Sequence, residues 1–132
     1  MPYLLDTNIC IYIIKKNPRS VLDRFNSIEP GEVAVSIITL SELYYGARKS
    51  ANPKKNLLAL NKFLLPFNIF DFDIASANSY SIIRTELELK GTPIGPLDTL
   101  IAAQAISLDY ILVTNNEREF KRVSGLQVEN WV

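Results

Sequence analysis

The sequence predicts an α/β protein whose parallel sheet is wrapped by helices. Three observations predict it. Short apolar runs, such as "EVAVS" (Glu32 to Ser36) and "YILVT" (Tyr110 to Thr114), alternate with longer stretches at helical spacing. Breakers at Asn17-Pro18, Glu29-Pro30-Gly31, Asn52-Pro53 and Gly91 to Pro96 punctuate that alternation. Acids stand directly after strand-like runs or on inward helix faces, as in "YLLDTN" (Tyr3 to Asn8). In an open α/β sheet, ligands bind outside the carboxyl ends of the strands, where such acids are brought together.

Taken in order, residues 2–5 form the first strand. Thr7 to about Lys16 follows as a helix, with Asp6 or Thr7 as its N-cap. A second helix covers Ser20 to Ser27, its apolar side made by Val21, Leu22, Phe25 and Ile28. Glu32 to Ser36 is the second strand, leading into a helix over Thr39 to Lys49. Pro53 opens the next helix, which carries Leu57, Leu58, Leu60, Phe63 and Leu64. "FNIFDFD" is strand-like, and Ile74 to Lys90 is a long helix ended by Gly91. Pro96 begins a helix to about Leu108, and Tyr110 to Thr114 is the clearest strand. A short helix over Glu117 to Lys121 and a last strand in "LQVEN" complete the order.

At 132 residues the chain is expected to be one domain. There is no internal repeat, low-complexity segment or interdomain linker in it. Acids and bases balance at 14 each, so net charge argues neither for nor against a nucleic-acid partner. Arg48, Lys49, Lys54, Lys55 and Lys62 form a run with no acid among them, read either as a solvated helix face or as a rim that faces phosphates.

Two absences narrow the chemistry. The chain has no histidine, which removes Ser-His-Asp and Cys-His catalysis and His-ligated zinc. Its single cysteine, Cys10, sits in an apolar run and reads as a buried thiol in a protein of the reducing cytoplasm. No uncharged run exceeds ten residues, well short of the ~20 a membrane helix needs. Asp6 interrupts the first apolar stretch, which therefore does not read as a signal peptide. If there is chemistry here, it must rest on carboxylates, hydroxyls and amides, with or without a hard metal ion.

The carboxylates stand in costly places. Glu42 is the only charge between Val33 and Ala47, on a helix that is apolar nearly all round and so expected to be mostly buried. A buried carboxylate needs a cation, a proton or good hydrogen bonds, and no base lies within one turn of it. Asp98 is followed at i+3, i+4 and i+7 by Ile101, Ala102 and Ala105, which puts it on an apolar stripe. The helix dipole favours an acid in the first turn and explains the position, but not the apolar face. A fourth place is the strand end "VTNNEREF", with Glu117 and Glu119 just past Asn115 and Asn116. Singly, each acid has a structural excuse. Jointly they should repel one another unless a divalent cation joins them, and an all-oxygen site suits magnesium or manganese rather than zinc.

"LLDTN" (Asp6), "SIITLSELYYGA" (Glu42), "GTPIGPLDTLIAAQA" (Asp98) and "LVTNNEREFKRVSGLQVENW" together resemble the PIN-domain ribonucleases. Within them the sequence is most similar to the VapC toxins of bacterial VapBC toxin–antitoxin pairs. The likeness runs in order from residue 3 to residue 131. It implies a single PIN domain over residues 1–132, a three-layer α/β/α sandwich with a central parallel sheet. It also implies a metal-dependent endoribonuclease. Asp6, Glu42 and Asp98 fall on the family's three central acidic positions, as ligands of Mg2+ or Mn2+, with in-line water attack leaving a 5′-phosphate and a 3′-hydroxyl. The family commonly carries a fourth acid after the strand-ending "T-N"; here Asn116 stands there, and Glu119 is the nearest substitute. Thr114, Thr7 and Asn115 match polar residues that orient the carboxylates or the water.

The resemblance further implies partners. These are an RNA substrate, by analogy structured RNA such as the initiator tRNA, and a VapB-type antitoxin that carries operator-DNA binding. A homodimer is implied, and no membrane. Tyr44, Tyr45, Phe63 and Leu64 are candidates for an antitoxin groove; the alternative is that they are core. Two other readings compete. One is a phosphatase with Asp6 as nucleophile, but that design wants a second acid where Asn8 stands. The other is a catalytically degenerate PIN domain that only binds a partner, against which the three retained acids argue.

Overall fold

The computed structural model describes residues 2–132. Its strands are β1 (Tyr3–Leu5), β2 (Val33–Ser36), β3 (Asn68–Phe70), β4 (Ile111–Val113) and β5 (Val128–Glu129). They form one sheet in the order β3-β2-β1-β4-β5, and every neighbouring pair is parallel. Among the described residues seven helices flank it: α1 (Thr7–Lys15), α2 (Arg19–Asn26), α3 (Ile37–Arg48), α4 (Pro53–Leu64), α5 (Ile74–Leu89), α6 (Pro96–Leu108) and α7 (Glu117–Phe120). A 3-10 turn over Pro30–Glu32 leads into β2. The chain winds outward from β1 to β3, then returns across the sheet to place β4 on the other side of β1. The topological switch point therefore lies between β1 and β4, at the strand ends where Asp6 and Thr114 stand.

Period-two alternation divides the core into two layers. Leu5, Val33, Val35 and Val113 point to one face, where Ile9, Ile13, Val21, Leu43, Leu60 and Trp131 cover them. Leu4, Ala34 and Leu112 point to the other, under Ile83, Leu87, Ile101, Ala102 and Ala105. Both faces of each central strand are buried, which is why these strands read as continuous apolar runs. The result is the three-layer sandwich.

Local chemistry sets where the elements begin and end. Asp6 is the N-cap of α1, its side chain accepting from the Ile9 N–H. Ser36 caps α3, which starts two residues before the expected Thr39, because its hydroxyl accepts from the Ile38 N–H. Ile37 and Ile38 are β-branched and weak helix formers, but the cap decides. β3 is shorter than "FNIFDFD" because Asp73 leaves the sheet to cap α5, accepting from the Ser76 N–H at 2.9 Å. Gly91 follows α5 at φ 70°, a conformation open to glycine at no steric cost, and ends that helix as expected.

Candidate active site

Asp6 leaves β1 with its N–H bonded to the Val113 carbonyl at 3.0 Å, so β4 fixes its position. Its side chain is only 7% exposed. Burial pushes its carboxyl above the ordinary range; bonds from Thr114 and the Ile9 N–H pull it back, and nearby Glu42 pushes it up again. Thr114 is fully buried at the end of β4, and its Oγ1 also accepts from the Asn116 N–H at 3.0 Å. The hydroxyl held by the following turn thus also lies where it lowers the Asp6 pKa.

Glu42 is half-buried on the second turn of α3. The Thr7 hydroxyl donates to its Oε1 at 2.8 Å, tying α1 to α3 beside Asp6. Asp98 occupies the first turn of α6, half-buried. Burial, then repulsion from Glu119, Asp6 and Glu42, raises its pKa to about 6, and a hydrogen bond with Glu119 adds to the shift. Glu119 is held in turn by the Asn116 amide, Nδ2 to Oε2 at 3.0 Å. Asn116 thus ties Glu119 to the turn that follows Thr114.

The structure therefore gathers Asp6, Glu42, Asp98 and Glu119 at the switch point, with Thr7, Thr114 and Asn116 bonded to them. It does not bring in Asn115, whose amide turns away to the Tyr12 hydroxyl at 3.0 Å, or Glu117, which accepts from Asn130 at 3.4 Å. Among the described residues, the ion pairs are Arg19–Asp23, Arg24–Glu129 and Arg84–Glu88, so no base neutralises the cluster. Nor do three of the carboxylates already stand at the spacing of a closed metal cage. The donor set is nonetheless all hard oxygen, desolvated and mutually repulsive, which fits a divalent cation such as Mg2+ or Mn2+.

A groove of about 370 Å³ runs from Glu42 between α1, α3 and α4. Ile11, Ile14, Leu43, Ala47 and Leu60 give it an apolar lining, with Lys15 beside them. This differs from the expected Tyr44, Tyr45, Phe63 and Leu64. Leu64 is buried, and Phe63 packs against Phe25 and Phe67 at 6.3 and 4.9 Å between ring centroids. Tyr45 is 65% exposed with Lys49 over its ring, so α3 is less buried than its composition predicts. The signal missed was "ICIYII": α1 is apolar on its buried side and again at Ile11 and Ile14, which a helix against a single core does not need. A smaller pocket of about 140 Å³, by Tyr80, Arg84, Glu88 and Ile94, holds none of the four acids.

Comparison with known proteins decides the family. The model of the PIN domain matches residues 3–126. The tRNA(fMet)-specific endonuclease VapC of Shigella flexneri is 47% identical over 99% of this chain and 98% of its own length. The chain belongs to the PIN-domain VapC ribonucleases. Ribonuclease VapC2 of Haemophilus influenzae is likewise 47% identical, over 100% of this chain and 99% of its own. Among solved structures, VapBC2 of Rickettsia felis bound to a promoter DNA fragment has a chain that superposes with a TM-score of 0.92 at 43% identity, over 100% of both chains. VapBC of Salmonella typhimurium bound to DNA gives 0.93 at 42% identity, over 100% of this chain and 99% of that one.

Proposed function

We propose that this VapC-family chain is a metal-dependent endoribonuclease, the toxin of a VapBC pair, and that residues 1–132 act as one PIN domain. The observation that carries this reading is the set of four carboxylates at the switch point with no base to neutralise them. Asp6, Asp98 and Glu42 are the metal ligands, with Glu119 as the fourth acid. Bound among them, Mg2+ or Mn2+ supplies acidity to water and offsets charge at the phosphate. The chain's own residues do the rest. Thr114 and the Ile9 N–H fix the Asp6 carboxylate. Thr7 donates to Glu42 Oε1 and leaves Oε2 to complete the metal's shell or to take a proton from the attacking water. Asn116 aims Glu119 at Asp98.

The substrate proposed is structured RNA, with initiator tRNA first, since relatives in Shigella flexneri and Salmonella typhimurium carry tRNA(fMet)-specific endonuclease in their names. The partner is a VapB-type antitoxin, which alone would contact operator DNA, and the toxin works as a homodimer in the cytoplasm. No helix among the described residues is long and apolar enough to cross a membrane. An apolar antitoxin segment seated in the α1–α3–α4 groove would end beside Glu42, so that binding and inhibition coincide.

The test is cleavage of a purified tRNA pool with Mg2+ or Mn2+ against EDTA, for wild type and Asp98→Asn. Cleavage that needs metal and is lost in the folded variant is expected, with 5′-phosphate ends. A folded, metal-supplied and antitoxin-free wild type that leaves tRNA, rRNA and mRNA intact would move the reading to a binding-only PIN domain.

A further inference from the structure

Gln104 is a fully buried polar side chain on α6, 0% exposed, and the roles assigned to the four acids make no use of it. Every polar atom of its amide is engaged. Nε2 donates to the Phe70 and Asp71 carbonyls, both at 3.0 Å, where the chain leaves β3. Oε1 accepts from the hydroxyl of Ser36, itself 0% exposed at the end of β2. The same Ser36 oxygen accepts from the Ile38 N–H at 3.0 Å and so caps α3. Only one orientation of the amide satisfies all these groups, so the amide acts as a keyed joint.

The joint ties together the two helices that carry Glu42 and Asp98. Glu42 stands six positions after Ser36, and Asp98 six positions before Gln104. At ~1.5 Å of rise per residue, each carboxylate lies about 9 Å along its helix from the joint. Ser36 is the residue at which α3 begins, so its bond sets where that helix starts and how it is turned. Gln104 holds the other helix and the β3 end against the same point. A core that needed only bulk at position 104 would hold an apolar residue there, since a buried amide lacking any one of these partners is costly.

We propose that Gln104 is a positioning residue for the carboxylate cluster, acting through Ser36 to fix Glu42 against Asp98. This rests on the reading of those acids as metal ligands. Removing the joint leaves every ligand in place but lets α3 shift against α6. Positioning groups behind metal ligands are worth roughly 10–100-fold in affinity or rate.

The experiment titrates Mn2+ calorimetrically into purified wild type, Gln104→Met, Ser36→Ala, Ser36→Thr and Asp98→Asn, with thermal melts to set a temperature at which each is folded. RNA-cleavage kcat and KM are measured alongside at saturating Mn2+. Gln104→Met and Ser36→Ala are expected to lose about 10-fold or more in Mn2+ affinity and in kcat, with KM within about threefold. Ser36→Thr keeps the hydroxyl and should stay within about threefold of wild type, a rescue that general loss of packing would not give. The double variant Gln104→Met/Ser36→Ala should be no worse than the weaker single, because both act through one bond. If Gln104→Met fails to fold, the contrast between Ser36→Ala and Ser36→Thr decides. A folded Gln104→Met with wild-type affinity and kcat, or a Ser36→Thr as impaired as Ser36→Ala, overturns the proposal while the ligand reading stands. A wild type that binds no Mn2+, or an Asp98→Asn that binds it equally well, overturns the ligand reading and this proposal with it.

Discussion

Replacing Asp98 by Asn should stabilise the protein in EDTA while removing the metal-dependent activity proposed for it. The Asp98 pKa stands at about 6, raised from 3.8 by burial and by Glu119, Asp6 and Glu42. A group whose folded pKa is raised favours the folded state below its unfolded value, and that advantage is lost as pH rises through the folded value. For Asp98 the window runs from about pH 4 to pH 6. The full shift would correspond to about 3 kcal/mol. Asp98 is only half-buried, and solvent screening reduces this to about 1–2 kcal/mol. Asn also forfeits the favourable charge in the first turn of α6, worth ~0.3–1 kcal/mol. A net gain of about 1 kcal/mol remains at pH 7.5, or roughly 3–5 °C in Tm for a chain of this size. The assay is thermal unfolding by circular dichroism in EDTA, for wild type and variant, from pH 4.5 to 7.5. The variant's advantage should be near zero or negative at pH 4.5 and reach its full value above pH 6.5. Adding Mn2+ should then raise the wild-type Tm and leave the variant unmoved. A variant no more stable than wild type at pH 7.5, or an advantage that does not change with pH, would refute the electrostatic argument.

Three further outcomes follow from the packing. Cys10 is fully buried and its thiol is pushed well above the ordinary range by burial and by Asp6, so native protein should not react with a thiol-specific dye until it unfolds. Trp131 is 4% exposed, packs edge-on against Tyr3 at 5.6 Å and donates to Glu129 at 2.8 Å; Trp131→Ala should lose about 3–5 kcal/mol in urea unfolding. Ala47→Glu places a charge in the apolar groove, so antitoxin binding by calorimetry should weaken at least about 30-fold, since desolvating an unpaired carboxylate costs several kcal/mol. RNA cleavage by the antitoxin-free variant should stay close to wild type, and equal loss of both would show the groove is not a separate surface.

Much of the fold is legible in the sequence because three central strands are buried on both faces. Such strands must be apolar without interruption, so an acid at the end of one, as at Asp6, stands out. Asp98 is legible for a related reason: its helix is apolar along the stripe on which it sits. Less legible is anything decided by a single hydrogen bond. The start of α3 is set by the Ser36 cap against the strand preference of Ile37 and Ile38, and the end of β3 by Asp73 turning to cap α5. The roles of Asn115 and Asn116 are beyond spacing too. The two are adjacent and chemically identical, yet one amide reaches Tyr12 and the other Glu119, because the turn after β4 sends them apart. The groove was hidden because apolar residues on α1 and α4 serve core and groove alike. Only the three-dimensional packing tells Leu64, which fills the interior, from Ile14, which does not.

The site is also expensive to the fold that carries it, and the expense explains how it is built. Four carboxylates meet where no base among the described residues neutralises them. Three of them are instead given a donor that carries no charge: the Ile9 N–H and Thr114 hydroxyl for Asp6, the Thr7 hydroxyl for Glu42, the Asn116 amide for Glu119. A lysine or arginine would hold the acids more strongly but would compete with a divalent cation for them. Neutral donors fix direction while leaving the negative charge unspent. Asp98 has no such donor: burial first, then repulsion from Glu119, Asp6 and Glu42, raises its pKa to about 6, and its replacement is the one expected to relieve the fold most. With the proposed cation bound, stability and metal affinity would pull in opposite directions at this residue. Substitutions at Thr7, Thr114 or Asn116, which remove a bond without removing a charge, should lower both together.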